Sequence, residues 1–318
     1  HAIADATDAA LLGALAIAGR EDAERWGAER ARVAFVAMGR YGGRECSYAS
    51  DADVIALHEA VGGASDSEAA ASATAIVNRV KKLLGSATSQ LGIVVDLDLR
   101  PEGKNGPMSR TIASHEEYAQ RWASTWERQA AVRARPIGDG ELAQAARSLF
   151  ESMAYRDVSE AEVRDIRLLK ARMENERLPR GTEPARHVKL GPGGLSDVEW
   201  TIQLIQMRHG REVEALRTSS TTDAIAAARD AGLLGASDAE ILLNAWDLAT
   251  RIRAGNTLAT GRMSGVKLDV VPRDSAELGA LAAILGYGSG GLTALEEDWL
   301  RAARQARDVM ERAFWEQQ

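Results

Sequence analysis

Two aspartates one residue apart, Asp51 and Asp53, open an apolar run, Asp53-Val-Ile-Ala-Leu57. Side chains alternate along a strand, so this spacing puts both carboxylates on one side. Hard carboxylate oxygens are what Mg2+ accepts, and two such ions about 3.5–4 Å apart can activate an attacking oxygen and stabilise a leaving pyrophosphate. That is the geometry phosphoryl and nucleotidyl transfer needs. A third carboxylate is expected, and Asp96 supplies one. It sits in Val94-Val-Asp-Leu-Asp-Leu99, an apolar strand where an acid is out of place without a ligand or a partner. Asp98 lies two residues on and faces the same way. Asp51, Asp53 and Asp96 are read as the catalytic and metal-binding residues.

The segment ahead of the acids fits the same chemistry. Val33-Ala-Phe-Val-Ala-Met38 is a short apolar run that stops at Gly39, with Gly42 and Gly43 close behind, and Ser50 directly precedes the acidic pair. A glycine-containing turn lets backbone approach a phosphate closely. Arg40, Arg44, Arg100 and Lys104 surround the acids in sequence, and Arg offers phosphate a bidentate fork. The nucleotide-binding set is therefore Gly39, Arg40, Gly42, Gly43, Ser50, Arg100 and Lys104. Surface acids at strand ends also produce isolated Asp-x-Asp pairs. The conjunction of glycine turn, Ser50, strands on both sides and a later acidic pair sets this one apart.

The elements that must position these groups can be read from periodicity. Residues 2–30 have helical spacing, strands are expected at 33–38, 53–57 and 93–99, and Ile76, Val77, Val80, Leu83 and Leu84 mark a helix over 66–86. After Gly140 the pattern is helical: 141–154, 159–177, 197–210, 220–232, 238–258, 275–286 and 292–315. Gly210, Gly232 and Gly286 fall where helix C-caps are expected. The fold class is α+β, with a catalytic domain over 1–138 and an all-helical bundle over 139–318. Trp122, Trp126, Trp200, Trp246 and Trp299 lie on predicted helices and read as packing residues. Ser196-x-x-Glu199 has the spacing of a capping box. The glycines before it form an arrangement that can bind an anion, read here chiefly as structural support. His187 and His209 have no ligand-spaced partner and read as structural.

Composition narrows the function. The 318 residues are 45% apolar and 27% charged, with net charge −7, so the long-range field repels nucleic-acid phosphates. Cys46 is the single cysteine, which excludes an intramolecular disulfide and a cysteine-rich zinc site and fits a reducing, cytoplasmic setting. The apolar stretch 9–18 is too short to span a bilayer, so no membrane role is expected. A chain that opens on His1 reads as cut from a longer one or as carrying a tag remnant.

The run from Gly39 to Ser50-Asp-Ala-Asp53 resembles the Gly-Ser…Ser-Asp-x-Asp signature of the DNA polymerase β-like nucleotidyltransferases, with Arg40 in place of the usual Ser. That basic residue, followed by Gly42-Gly-Arg-Glu45, is similar to the form found in the bifunctional glutamine synthetase adenylyltransferase/adenylyl-removing enzymes. Val95-Asp-Leu-Asp-Leu-Arg-Pro-Glu-Gly103 and Trp126-Glu-Arg-Gln-Ala-Ala-Val-Arg-Ala-Arg135 look like further blocks of that family. So does Lys189-Leu-Gly-Pro-Gly-Gly-Leu-Ser-Asp-Val-Glu-Trp200. The blocks keep their order over 39–209. Asp98 departs from the pattern, since many relatives carry Arg there; it could join the metals, pair with Arg100 or be solvated.

The resemblance implies a polymerase β-like domain followed by a helical bundle, two Mg2+ ions, ATP as substrate and a tyrosine of glutamine synthetase as acceptor. It also implies possible control by a PII-type signalling protein. The family enzyme carries two copies of this unit. Glu176-Arg-Leu-Pro-Arg-Gly181 and Val309-Met-Glu-Arg-Ala-Phe314 look more like the second, adenylylating copy. The alternative is phosphorolytic removal of AMP. A decayed site that only senses a ligand is disfavoured, because Asp51, Asp53 and Asp96 are all present.

Overall fold

Apolar, β-branched runs form strands where two faces can be covered, and in the computed structural model β1 (Ala31–Ala37) and β2 (Ala52–Ala60) are such a pair. Residues 1–48, 50–85, 92–288 and 291–316 are described. The chain divides into two units: 1–46, 50–156 and 218–220 in the first, 47–49, 157–217 and 221–318 in the second.

In the first unit β1 and β2 are antiparallel, in register from Ala31↔Ala60 to Ala37↔Val54. β3 (Val95–Asp96) and β4 (Ser109–Arg110) run parallel to β2, and β5 (Arg135–Pro136) is antiparallel to β1. The expected strand over 93–99 is only two residues long. It is cut short because the Asp98 N–H turns back to Asp96 Oδ1 at 2.7 Å and the Arg100 N–H to Leu97 O at 3.1 Å.

Helix α1 (Ala2–Trp26) ends before the expected Arg30, because Gly27 takes φ 74 and turns the chain. After the one-turn helix α2 (Gly39–Gly42) comes α3 (Asp66–Leu84), and α1 buries Ala4, Leu11, Ala14 and Ala18 in the same core as its Ile76, Val77 and Val80. By length and composition alone α1 could cross a membrane, unlike the shorter stretch 9–18. Its polar side chains bind it into the unit instead: Asp22 accepts from Ser72, and Asp8 from Tyr41 and Arg135. α3 starts on a capping box of Ser65 and Glu68; Ser86, its expected last residue, lies outside the described residues.

Three helices complete the unit: α4 (Ile112–Arg121), α5 (Thr125–Ala131) and α6 (Glu141–Ala154). α6 falls in the first unit, whereas the sequence expectation began the second domain at 139. The reason is Arg128 of α5, whose guanidinium caps the end of α6 through Met153 O at 2.9 Å, Ala154 O and Arg156 O. Trp122 and Trp126 correct their expectation as packing residues, since they are 73% and 42% exposed.

The second unit is helical: α7 (Glu160–Glu176), α8 (Leu195–His209), α9 (Thr221–Asp230), α10 (Ala236–Thr260), α11 (Ser275–Ile284) and α12 (Gly291–Met310), closed by a π turn over Glu311–Trp315. Trp246 and Trp299 sit in its core with Leu242, Ile252 and Val309. Gly232 and Gly286 take the left-handed conformation expected of C-caps, at φ 72 and 85. Gly210 differs: it stays right-handed at φ −65 and satisfies Gln206 O.

Candidate functional site

Parallel pairing of β2 with β3 sets Asp53 directly beside Asp96, with Ala52 beside Val95. Register partners on neighbouring strands share a face, so two acids distant in sequence emerge together. Asp51 stands two residues ahead of Asp53, exposed, with no hydrogen bond or ion pair among the described residues. The Met38 N–H donates to Asp53 O at 2.8 Å and ties the end of β1 to the acidic strand.

Gly39 follows with φ 52, and a Cβ there would lie 3.2 Å from Asp53 Oδ2. Both facts ask for glycine: the backbone conformation is one that side chains resist, and the acid occupies the space. Asp96 uses Oδ1 to accept the Asp98 N–H. Asp98 itself is exposed and paired with Lys104 at 3.2 Å and more distantly with Arg100 at 3.9 Å.

Among the described residues no three His, Cys, Asp or Glu side chains already converge on a metal-sized point. The donor set still suits Mg2+. That ion keeps several waters and takes one or two carboxylates plus substrate phosphates rather than a cage made by protein alone. Asp53 and Asp96 in register, with Asp51 exposed two residues ahead, match that demand.

The expected phosphate-binding residues divide into two groups. Arg40 forks onto Glu45 O through Nε at 3.1 Å and Nη2 at 2.7 Å, and so ties its own turn. Arg100 is buried and caps Leu97 O, Lys104 O and Gly106 O, shaping the loop after β3. Gly42 and Gly43 have a packing reason: a Cβ would lie 1.8 Å from Arg133 O at the first and 2.4 Å from the Arg133 guanidinium at the second. Lys104 is the contrasting case, 81% exposed with Asp98 as its ion-pair partner. Ser50 is half-buried, and Arg44 (φ 57) pairs with Asp5.

Sequence reasoning missed the clamp on this turn. Arg133 Nε donates to Gly39 O at 3.1 Å while its Nη2 reaches the Glu45 carboxylate. Arg135 forks onto Asp8 at 2.8 and 2.9 Å and also donates to Gly42 O at 3.0 Å. Tyr41 donates its hydroxyl to Asp8 at 2.6 Å; burial first, then the Asp8 carboxylate, pushes its phenol well above the ordinary range. Ser219 Oγ donates to Gly42 O at 2.9 Å. The available signal was two arginines at i and i+2 in a segment entering a short strand. Burial, offset in part by Arg40, raises the Cys46 thiol, so it stays protonated near neutrality.

The second glycine turn, Gly191 to Gly194, is built for packing. A Cβ on Gly193 would lie 1.7 Å from Ala303 O, and one on Gly191 2.0 Å from Pro184 O. Gly194 is the N-cap of α8, and Ser196 is inside the helix, so the expected Ser196/Glu199 capping box does not form. Asp197 acts instead. Its Oδ2 accepts from Gly193 N–H at 2.7 Å, and its carboxylate pairs with Lys170 and Arg307. His187 Nδ1 accepts backbone N–H groups of Lys189 and Leu190, and burial lowers its pKa, which keeps it neutral and structural.

Comparison with known proteins adds independent information. Residues 1–149 match the family model described as glutamate-ammonia ligase adenylyltransferase, and residues 167–314 match one described as GlnD PII-uridylyltransferase. The chain is similar to the bifunctional glutamine synthetase adenylyltransferase/adenylyl-removing enzyme of Streptomyces coelicolor, at 45% identity over 99% of this chain and 31% of that protein. The Streptomyces avermitilis protein of the same name is 46% identical over 99% of this chain and 31% of its own length. That of Bifidobacterium longum subsp. infantis is 44% identical over 99% and 30%. The chain thus spans about a third of the length of these relatives.

Proposed function

We propose that this chain, which belongs to the family of bifunctional glutamine synthetase adenylyltransferase/adenylyl-removing enzymes, carries a polymerase β-like centre that transfers AMP from ATP to a tyrosine hydroxyl of glutamine synthetase. The observation that carries this reading is the Asp53–Asp96 register pair lying against Gly39. Asp51, Asp53 and Asp96 would hold Mg2+, two ions in the full arrangement. Bound there, Mg2+ supplies activation of the attacking oxygen and charge neutralisation on the leaving pyrophosphate.

The chain's own residues have separate parts. Asp96, oriented by the Asp98 N–H at its Oδ1, would bind the catalytic metal and help draw the proton from the tyrosine hydroxyl. Lys104, exposed and mobile on its stem, is the cation best able to reach the triphosphate. Arg40 and Arg100 act at one remove by shaping the turns, and Gly39 gives a nucleotide close access to backbone.

Adenylylation is favoured over removal of AMP by the segments 176–181 and 309–314, which resemble the second copy of the family unit. The relatives' printed name carries both activities, so phosphorolysis at the same carboxylates is the second reading. The match of 167–314 to a PII-uridylyltransferase model favours a link to a PII-type protein. The single cysteine, Cys46, favours a reducing, cytoplasmic setting, and the net charge of −7 disfavours nucleic-acid partners.

The chain incubated with α-labelled ATP, Mg2+ and unmodified glutamine synthetase should label the synthetase, and chelating the metal should stop it. Release of ADP from pre-adenylylated synthetase on adding phosphate, with no forward labelling, would establish the second reading instead.

A further inference from the structure

Arg133 is 3% exposed in the first unit. Burying a guanidinium is costly, and a buried ion pair seldom repays that cost in stability, so this one asks for a reason. One planar group here holds two points of a turn, Gly39 O by Nε and the Glu45 carboxylate by Nη2. Gly43 lacks a Cβ where the guanidinium passes, and Gly42 lacks one where the Arg133 carbonyl passes. On its other side Gly39 abuts Asp53, whose Oδ2 lies 3.2 Å from the position of a Cβ. From Arg133 to the Asp53 carboxylate the path runs through a single residue.

We infer that Arg133 is a positioning residue: by fixing Gly39 it fixes where the Asp53 carboxylate stands beside Asp96, and so sets the affinity of that pair for a divalent cation. The inference rests on the proposed role of Asp53 as a metal ligand. Arg135 has a different task, since its bonds to Asp8, Tyr41 O and Gly42 O secure the turn to α1 without touching Gly39. Lysine at 133 would keep the charge and could keep the Glu45 pair. It cannot span Glu45 and Gly39 O together, because its ammonium is a single point rather than a fork.

The test uses the 318-residue chain with Arg133→Lys and, as control, Arg135→Lys. Mn2+ stands in for Mg2+ and its binding is read by electron paramagnetic resonance, alongside thermal unfolding and AMP transfer. Groups that orient metal ligands typically change metal affinity or activity about 10- to 100-fold. Arg133→Lys should therefore weaken Mn2+ binding about tenfold and lower kcat about 10- to 100-fold, with the KM for ATP changed far less. Arg135→Lys should lower the unfolding temperature and leave Mn2+ affinity unchanged. Equal Mn2+ affinity in the wild type and Arg133→Lys overturns the inference, whatever AMP transfer shows. So does a loss in Arg133→Lys that tracks unfolding and appears equally in Arg135→Lys. If the wild type transfers no AMP in either direction while Arg133→Lys still weakens Mn2+ binding, the positioning role stands and the proposed reaction falls. A wild type that binds no Mn2+ overturns both.

Discussion

Two glycine turns in this protein look alike as sequence and are used in opposite ways. Gly39 leads into Asp51 and Asp53, and Gly191 to Gly194 lead into Asp197. In the first turn Asp51 is exposed without a partner among the described residues, and Asp53 stands beside a second acid, Asp96. In the second Asp197 is 1% exposed, with Lys170, Arg307 and the Gly193 N–H all directed at it. Acids brought side by side on neighbouring strands are poised for a ligand that brings positive charge; an acid already surrounded by cations is part of the framework. Residue type and spacing do not separate these cases, but the partner of the carboxylate does.

The sharpest way to break the contrast is to neutralise each acid. Asp53→Asn or Asp51→Asn should reduce AMP transfer by at least about 10³-fold, a barrier change of about 4 kcal/mol, with the unfolding temperature essentially kept. Near-normal turnover in either variant would remove the metal assignment. Asp96→Asn should behave the same way and Asp98→Asn more mildly, given its exposed pairing with Lys104. Asp197→Asn should do the reverse: it leaves Lys170 and Arg307 undercompensated and should cost about 3 kcal/mol of stability. A fully stable Asp197→Asn protein without activity would place that acid in the chemistry instead.

Acid titration gives a smaller but distinct effect. His115 is buried against Phe150 with Arg110 nearby, and burial first, then that cation, depress its pKa to about 4. The unfolded chain binds its proton from about pH 6.5 downward while the folded chain refuses it to about pH 4. Stability in the first unit should therefore fall by about 2 kcal/mol between pH 7 and 5. His115→Phe should flatten that slope. His58 and His187 are also lowered by burial and act with the same sign. Glu174 behaves differently. Burial opposes its charge, but Arg307 and Lys170 hold its pKa below 4.5, so its contribution persists at pH 5 and is lost only as pH falls through that lower value. Calorimetry of the wild type and His115→Phe at pH 7, 5 and 4 separates the two windows; equal slopes between pH 7 and 5 would count against the His115 assignment.

What could be read in advance follows the range of the interactions involved. The helices after 140 appear within two residues of their expected bounds, except that the last ends at Met310 and reaches 315 only through the π turn, because a 3.6-residue period and glycine C-caps are local signals. That the first apolar strand ends at a glycine turn ahead of the acidic pair was equally legible. The Asp53↔Asp96 register was not, since strand pairing is decided by residues far apart in sequence. The same holds for Arg133 and Arg135, whose partners lie about 90 or more residues away. Ser196 was misread because Gly194 and Asp197 do the work its spacing suggested.

The Ser219 bond to Gly42 O has a consequence for synthesis. Thr218–Ser220 belong to the first unit although residues 157–217 of the second come before them in the chain. At about 5–20 residues per second a ribosome needs about 3–12 s to add that stretch of roughly 60 residues. Over that interval the nascent first unit holds its glycine turn through Arg40, Arg133 and Arg135 without the Ser219 bond, and a cut after Arg156 would leave that bond permanently unmade.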